Sequence, residues 1–297
     1  MLDVAAVLPP PREPTALLTE WRLDPLTVLP LAGASLAYAA GVRRVRRGGG
    51  RFPRRRVTAF AAGIAVLVVA LASPVDAYAE ASFPVHMAQH LLLTLAAPPL
   101  LALGAPIALA LRASTARTRR TYLVPALRSR PVAILARPVV GWALFVSVPF
   151  VVHLTPLFDA ALRSSPIHAL EHLLWLATAL VYWWPIVGTD PIPRPPSYAG
   201  RLLSLAMAMP AQSFLALIIY NAASPLYPTY AALPPPWGAS ILDDQRSAAV
   251  MMWVLGNLAM VLAIVAVASG WRRDEDARQR REEEREDRAA RLASSGA

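Results

Sequence analysis

The sequence predicts an all-α polytopic membrane protein, a bundle of seven transmembrane helices. Of its 297 residues, 56% are hydrophobic and 16% are charged, whereas an ordinary soluble domain carries about 25% charged residues. Apolar runs of roughly 16 to 27 residues recur along the chain, long enough to cross a bilayer core about 30 Å thick. The composition therefore excludes an ordinary soluble enzyme of this size.

Seven apolar windows are separated by polar segments. The predicted spans are residues 25–42, 57–73, 85–111, 139–154, 168–188, 201–221 and 247–269. They make residues 25–270 a membrane domain, preceded by an extracytoplasmic N-terminal segment at 1–24 and followed by a charged cytoplasmic tail at 271–297. The N-terminal segment is proline-rich and polar, with no basic region at its start, so we expect no cleavable signal peptide.

Two stretches depart from a plain apolar helix. Pro98, Pro99 and Pro106 lie inside the third span and should kink it, which a membrane helix tolerates when neighbouring groups satisfy the freed carbonyls. After Trp271 the tail carries eight arginines and eight acidic residues without apolar periodicity. We expect this tail to be a solvated helix with i,i+4 ion pairs, or disordered.

The distribution of arginine predicts the orientation. All 29 basic residues are arginines, and they lie in short blocks between the apolar runs, which indicates topology rather than nucleic-acid binding. The first loop holds eight arginines and the third holds seven, both without an acidic residue, whereas the second holds only Asp76 and Glu80. By the positive-inside rule the N-terminus lies outside and the C-terminus in the cytoplasm, in a multi-pass protein of the plasma membrane.

All five histidines lie at the predicted outer ends of spans. His86 and His90 open the third span, His153 closes the fourth, and His168 and His172 open the fifth. Residues four apart share one face of a helix, so each pair stacks its two imidazoles. Two imidazoles placed in this way can share one metal ion.

The two histidine pairs belong to similar segments. Residues 84–92 read PVHMAQHLL and residues 166–174 read PIHALEHLL, an offset of two spans that resembles a parallel internal repeat. The repeat places both histidine faces at equal depth, where they can converge. Glu171 lies three residues after His168, and an ionisable group near a membrane span is a functional candidate: it can ligate a metal or orient an imidazole. Gln89 is its counterpart.

The residue types favour copper among metals. Imidazole together with thioether suits copper, whereas imidazole alone also suits zinc or iron. The nearby thioethers are those of Met87, Met251 and Met252. Methionine in an apolar helix, however, most often serves packing. The sequence has no cysteine, which excludes disulfides, thiolate metal sites and cysteine nucleophiles. The candidate metal ligands are the five histidines and the carboxylate next to them, namely His86, His90, His168, His172, Glu171 and His153.

Structural explanations compete with metal binding. Histidines at helix ends can cap carbonyls, and His153 has no partner at helical spacing. Asp243 and Asp244, in the sixth loop, are the other acidic residues near the outer entrance; loop solvation explains them, and a role at the site is the alternative. Residues 168–172 also fit the H-x-x-E-H pattern of zinc proteases, but the sister segment replaces the glutamate by Gln89, which disfavours that mechanism.

The chain resembles the seven-helix CtaG family of cytochrome c oxidase assembly proteins over roughly residues 25–270. The segments that carry the resemblance are 86–92 (HMAQHLL), 97–106 (APPLLALGAP), 168–174 (HALEHLL), 182–185 (YWWP), 212–214 (QSF), 225–228 (PLYP), 244–245 (DQ) and 252–253 (MW). The resemblance implies a non-enzymatic factor that helps to mature a haem–copper oxidase, with copper supply or insertion as its role. Its partners would be the bilayer and either oxidase subunits or copper chaperones. A copper site made of imidazole and thioether, without thiolate, would bind the ion weakly enough to pass it to a partner and would be less suited to storing it.

Two other functions fit the residues alone. A haem b electron carrier could use axial imidazoles from two helices, for instance His90 and His172, although a transmembrane relay would need a second site deeper in the membrane. A transporter of copper or protons should have polar or metal-binding residues at mid-membrane, where the sixth span offers only Met207, Met209 and Gln212.

Overall fold

The computed structural model of the chain describes residues 21–193, 195–232 and 240–295, with side chains up to residue 288. Most of the predicted N-terminal segment 1–24 and the last two residues of the predicted tail lie outside the described residues. In chain order the helices are α1 (Pro25–Arg47), α2 (Arg54–Ala72), α3 (Pro74–Ala79), α4 (Phe83–Leu91), α5 (Ala97–Leu103), α6 (Pro106–Ala113), α7 (Ala116–Thr118), α8 (Val124–Leu127), α9 (Arg130–Leu135), α10 (Pro138–Leu154), α11 (Leu157–Arg163), α12 (Ser165–Val187), α13 (Tyr198–Tyr220), α14 (Pro228–Ala231) and α15 (Ile241–Ser295). Leu92–Ala96 and Arg119–Leu123 are π-helical turns.

Six helical stretches in the described part are long and apolar enough to cross a membrane. They are α1, α2, the run Phe83–Ala113 that contains α4 to α6, α12, α13 and α15. A seventh results if α10 and α11, which meet at 69°, are counted together as one broken span. Each predicted window therefore falls on a helix, and the chain is an all-helical, multi-pass membrane protein in the part described.

The run Phe83–Ala113 lies at the centre of the bundle. Its first part packs against α15, and its later part packs against α2 and α12. α10 packs against α12 and α13, while α1 lies at the side of the bundle against α2 and α6. The histidine-bearing start of this run is therefore surrounded by other helices, whereas α1 keeps most of its side chains exposed.

The predicted kink in the third span is a π-helical turn followed by a break. Pro98 has no N–H and cannot bond to the carbonyl of Thr94, four residues earlier. Trp183 Nε1 donates to that carbonyl instead, at 2.8 Å. The tryptophan of the YWWP segment thus satisfies the carbonyl that the proline frees, which a membrane interior requires.

A second break separates α5 from α6. Ala105 adopts a left-handed conformation with φ of 51° just before Pro106, and the exposed N–H groups of the new helix need acceptors. Asp190 supplies both of its carboxylate oxygens, at 2.7 Å from Ala108 N and 3.3 Å from Ile107 N. Burial raises the pKa of Asp190 above its ordinary value, while these two backbone hydrogen bonds lower it.

The last apolar span and the charged tail form one helix. α15 begins at Ile241 and runs without a break to Ser295, and an i,i+3 contact joins Arg278 to Glu275 at 4.0 Å. Of the two expected states of the tail, the structure therefore has the helix.

Candidate metal site

Three helix ends meet at the histidines. α4 and α12 both begin with a proline in the first turn, Pro84 and Pro166, a position where the missing N–H costs no hydrogen bond. The histidine pairs follow in the first two turns of each helix. α10 ends at Leu154 just before Pro156, which brings His153 to the same end of the bundle.

The start of α4 is held by a carboxylate from α15. Asp244 accepts from Phe83 N at 2.9 Å and from Ser82 Oγ at 3.5 Å, and it is buried. The carboxylate therefore positions the histidine helix instead of facing the histidines, which corrects the interpretation of Asp244 as a solvated loop residue. Asp243 fits that interpretation: its side chain is 62% exposed and lies 3.7 Å from Arg246.

The two histidine pairs converge into one cluster. His86 Nε2 lies 3.0 Å from His90 Nε2. The ring of His86 is 5.2 Å from that of His168, and the rings of His168 and His172 are 4.1 Å apart. His86 and His90 are fully buried, whereas His168 and His172 are half-buried. The facing arrangement that the repeat predicts is therefore present in the structure.

Two sets of three ligand atoms are close enough to hold a metal ion. His86, His168 and His172 form one set, which we name the rim position, and His86, His90 and Glu171 form the other, which we name the inner position. Within each set the ligand atoms lie within 4.8 Å of one another. His86 belongs to both.

Glu171 faces the cluster and its counterpart Gln89 does not. Glu171 Oε1 lies 3.6 Å from His90 Nε2 and accepts from Trp175 Nε1 at 3.2 Å. Gln89 Nε2 donates away from the cluster, to Ala70 O and to Asp76 Oδ1, both at 2.8 Å. Burial raises the pKa of Asp76, and the hydrogen bond from Gln89 lowers it. The repeat is therefore similar in sequence but different in role at this position.

Two tyrosines that the sequence analysis did not single out as site residues orient two of the imidazoles. The Tyr230 hydroxyl donates to Ala79 O at 2.6 Å, so its oxygen accepts from His86 Nδ1 at 3.1 Å. This pattern assigns the proton of His86 to Nδ1 and leaves the lone pair of Nε2 directed at the cluster. Tyr227 lies in the same relation to His153, 3.1 Å from its Nδ1.

His153 lies beside the cluster but in neither set of three. Its ring is 6.1 Å from that of His90, and both residues line a cavity of about 50 Å³. Met87 and Met252 line the same cavity and also pack in the apolar core around Phe158. Met251 lines a different groove, on the surface.

The cluster and the adjacent His153 contain several buried polar atoms without a hydrogen-bond partner in the described part of the chain. They are His90 Nδ1, His153 Nε2, His168 Nε2, His172 Nε2 and Glu171 Oε2. Leaving such an atom unpaired costs about 1–3 kcal/mol, so several in one place indicate a ligand. Converging imidazoles with one carboxylate are donors that fit a copper or zinc ion.

Comparison with known proteins identifies the family. The sequence model of the cytochrome c oxidase caa3 assembly factor (Caa3_CtaG) matches residues 36–274. The chain belongs to this family. The match includes every candidate ligand, and it agrees with the resemblance carried by the histidine, proline and aromatic segments.

The chain is also similar to longer mycobacterial proteins. An uncharacterized protein of Mycobacterium bovis is 37% identical over 292 residues, which cover 95% of this chain and 43% of that protein. A Mycobacterium leprae protein is 34% identical over 275 residues, covering 90% of this chain and 42% of its own length. The chain thus spans less than half the length of these relatives. No solved structure matches it.

Proposed function

We propose that this chain is a non-enzymatic assembly factor for a haem–copper oxidase of the plasma membrane and that it holds copper as cargo at the histidine cluster. The observation that supports the proposal most directly is that four imidazoles and Glu171 form two overlapping sets of possible ligands, with several of their polar atoms unpaired. Membership of the oxidase assembly family supports copper as the ion. Oxidase subunits or copper chaperones would be the partners.

The donor set suits delivery. The cluster offers imidazole nitrogens and a carboxylate, and the sequence has no cysteine that would add a thiolate. Thiolates hold Cu(I) strongly, whereas imidazoles suit several first-row metals. His168 and His172 are less buried than His86 and His90, so the ion would enter and leave the cluster on their side.

We also propose seven crossings, with the N-terminus outside and the C-terminus in the cytoplasm. The contact between His86 and His168 supports the count, because it puts the starts of α4 and α12 at the same end of the bundle. The run Phe83–Ala113 leads the chain away from that end, so α10 must bring it back. His153, at the end of α10, lies beside this cluster, with its ring 6.1 Å from that of His90.

The proposal predicts that removing the imidazoles removes the copper. A variant with alanine at His86, His90, His168 and His172 should bind at least tenfold less copper than the wild type after purification and loading, as measured by elemental analysis. In cells it should lower the copper content of the oxidase while the protein itself stays in the membrane.

Gln89→Leu is the matched control. This residue is buried on the same helix and makes two hydrogen bonds, but it points away from the cluster, so the variant should keep its copper even if it is less stable. Normal oxidase copper in the quadruple variant would contradict the proposal. A Soret band in the purified wild type would indicate haem instead.

A further inference from the structure

The rim and inner positions differ in how far their ligands are buried. They share His86, and the remaining ligands change from the half-buried His168 and His172 to the buried His90 and Glu171. Histidines four residues apart are separated by about 6 Å along the helix axis. The rim position therefore spans one turn of α12 and has the less buried ligands, and the inner position has the more buried ones.

The shared histidine can serve only one position at a time. Its Nδ1 is engaged with the Tyr230 hydroxyl, which leaves Nε2 as the nitrogen that faces the cluster. A neutral imidazole nitrogen has one lone pair, and that lone pair binds one metal ion. An ion at the rim position and an ion at the inner position would compete for the same atom.

We infer that the cluster is a two-position relay for a single copper ion, in which His86 stays bound while the ion exchanges His168 and His172 for His90 and Glu171. This inference rests on the proposed function. The step is a ligand exchange without electron transfer: two imidazoles leave the ion, and one imidazole and one carboxylate bind it. The rim position is the place of exchange with a partner, and the inner position holds the ion between exchanges.

Three variants separate the positions. His168→Ala with His172→Ala removes the rim position, His90→Ala with Glu171→Gln removes the inner one, and His86→Ala removes both. Each purified protein is loaded with copper at a saturating concentration, and bound copper per chain is counted by elemental analysis. We expect one copper in the wild type and in both double variants, and at least a tenfold loss in His86→Ala.

The rate of release to a copper chelator tests the order of the positions. The variant without the inner position should release copper at least tenfold faster than the wild type, because two of the three ligands that hold its ion are only partly buried. The variant without the rim position should release it more slowly than the wild type. Gln89→Leu, which changes a buried residue that points away from both sets, should match the wild type in both measurements.

Each contrary result has a distinct meaning. Two copper ions per wild-type chain would show that the positions fill together and would overturn the relay. If both double variants lost copper as completely as His86→Ala, the cluster would be one joint site, and the relay would be wrong while the proposed function stood. A wild type that binds no copper would overturn the proposed function itself.

Discussion

A single hydroxyl group controls which nitrogen of His86 is available. Tyr230 donates its proton to Ala79 O and accepts from His86 Nδ1, so Tyr230→Phe removes the acceptor that fixes the ring. Loss of such a partner lowers metal affinity by about 10–100-fold. We expect a decrease of that size in copper affinity, measured by competition with a chelator of known affinity, with the protein still folded.

Tyr227→Phe is the control for this prediction. Tyr227 makes the same contact with His153, which belongs to neither three-ligand set, so the change should leave copper affinity within about twofold. Equal losses in the two variants would mean that the tyrosines act through packing alone.

The residue scale also shows what the sequence could predict about the site. The pairing of His86 with His90 depends on a spacing of four residues on one helix, and that spacing is visible in the sequence. The Tyr230 contact joins residues 144 positions apart, and nothing in the local pattern determines which hydroxyl will face the ring. Gln89 matches Glu171 in the repeat but turns away from the cluster, because Ala70 O and Asp76 are within its reach.

At the scale of helices, the proline-rich third span and the YWWP segment are joined by a hydrogen bond that compensates for a proline. Trp183 donates to the Thr94 carbonyl that Pro98 leaves free. Trp183→Phe removes the donor and leaves a buried carbonyl unpaired, which costs about 1–3 kcal/mol. We expect a lower free energy of unfolding by that amount, measured in detergent by thermal or denaturant unfolding.

A double variant tests the cause of this loss. Pro98→Ala restores an N–H four residues after Thr94, so Pro98→Ala combined with Trp183→Phe should recover part of the stability that Trp183→Phe loses. Such a coupling is measured by a double-mutant cycle. If the two effects simply add, the carbonyl is not the link between these residues. Trp184→Phe is the matched control, since Trp184 Nε1 has no partner in the part of the chain that the structure describes.

Helix positions were predictable where the bilayer dictates them. A span must be apolar over its whole length, so hydropathy alone located every long helix. The fourth window differs from the others because its helix, α10, has only 17 residues and is bent by 69° against α11. Its composition does not distinguish a crossing helix from a re-entrant one; only its contacts with the other helices bear on that question.

At the scale of the whole molecule, the two arginine-rich loops and the histidine cluster should lie on opposite sides of the membrane. Arg119 and Arg280 are exposed on the predicted cytoplasmic side, and Glu80 and Arg163 are exposed on the predicted outer side. The sequence has no cysteine, so single cysteines at these positions can be labelled without background from any other residue of this sequence. The four sites sample the second and third loops, the loop after α10 and the tail.

A membrane-impermeant maleimide should label Glu80→Cys and Arg163→Cys in intact cells and Arg119→Cys and Arg280→Cys only after permeabilisation. The expectation follows from the positive-inside rule together with the contact between the starts of α4 and α12. The labelling of Arg163→Cys distinguishes seven spans from six. If Arg163→Cys is labelled only together with Arg119→Cys, then α10 and α11 turn back within the membrane and the chain has six crossings. In that case His168 could not reach His86 from the outer side, and both the histidine cluster and the copper proposal would be contradicted by the topology.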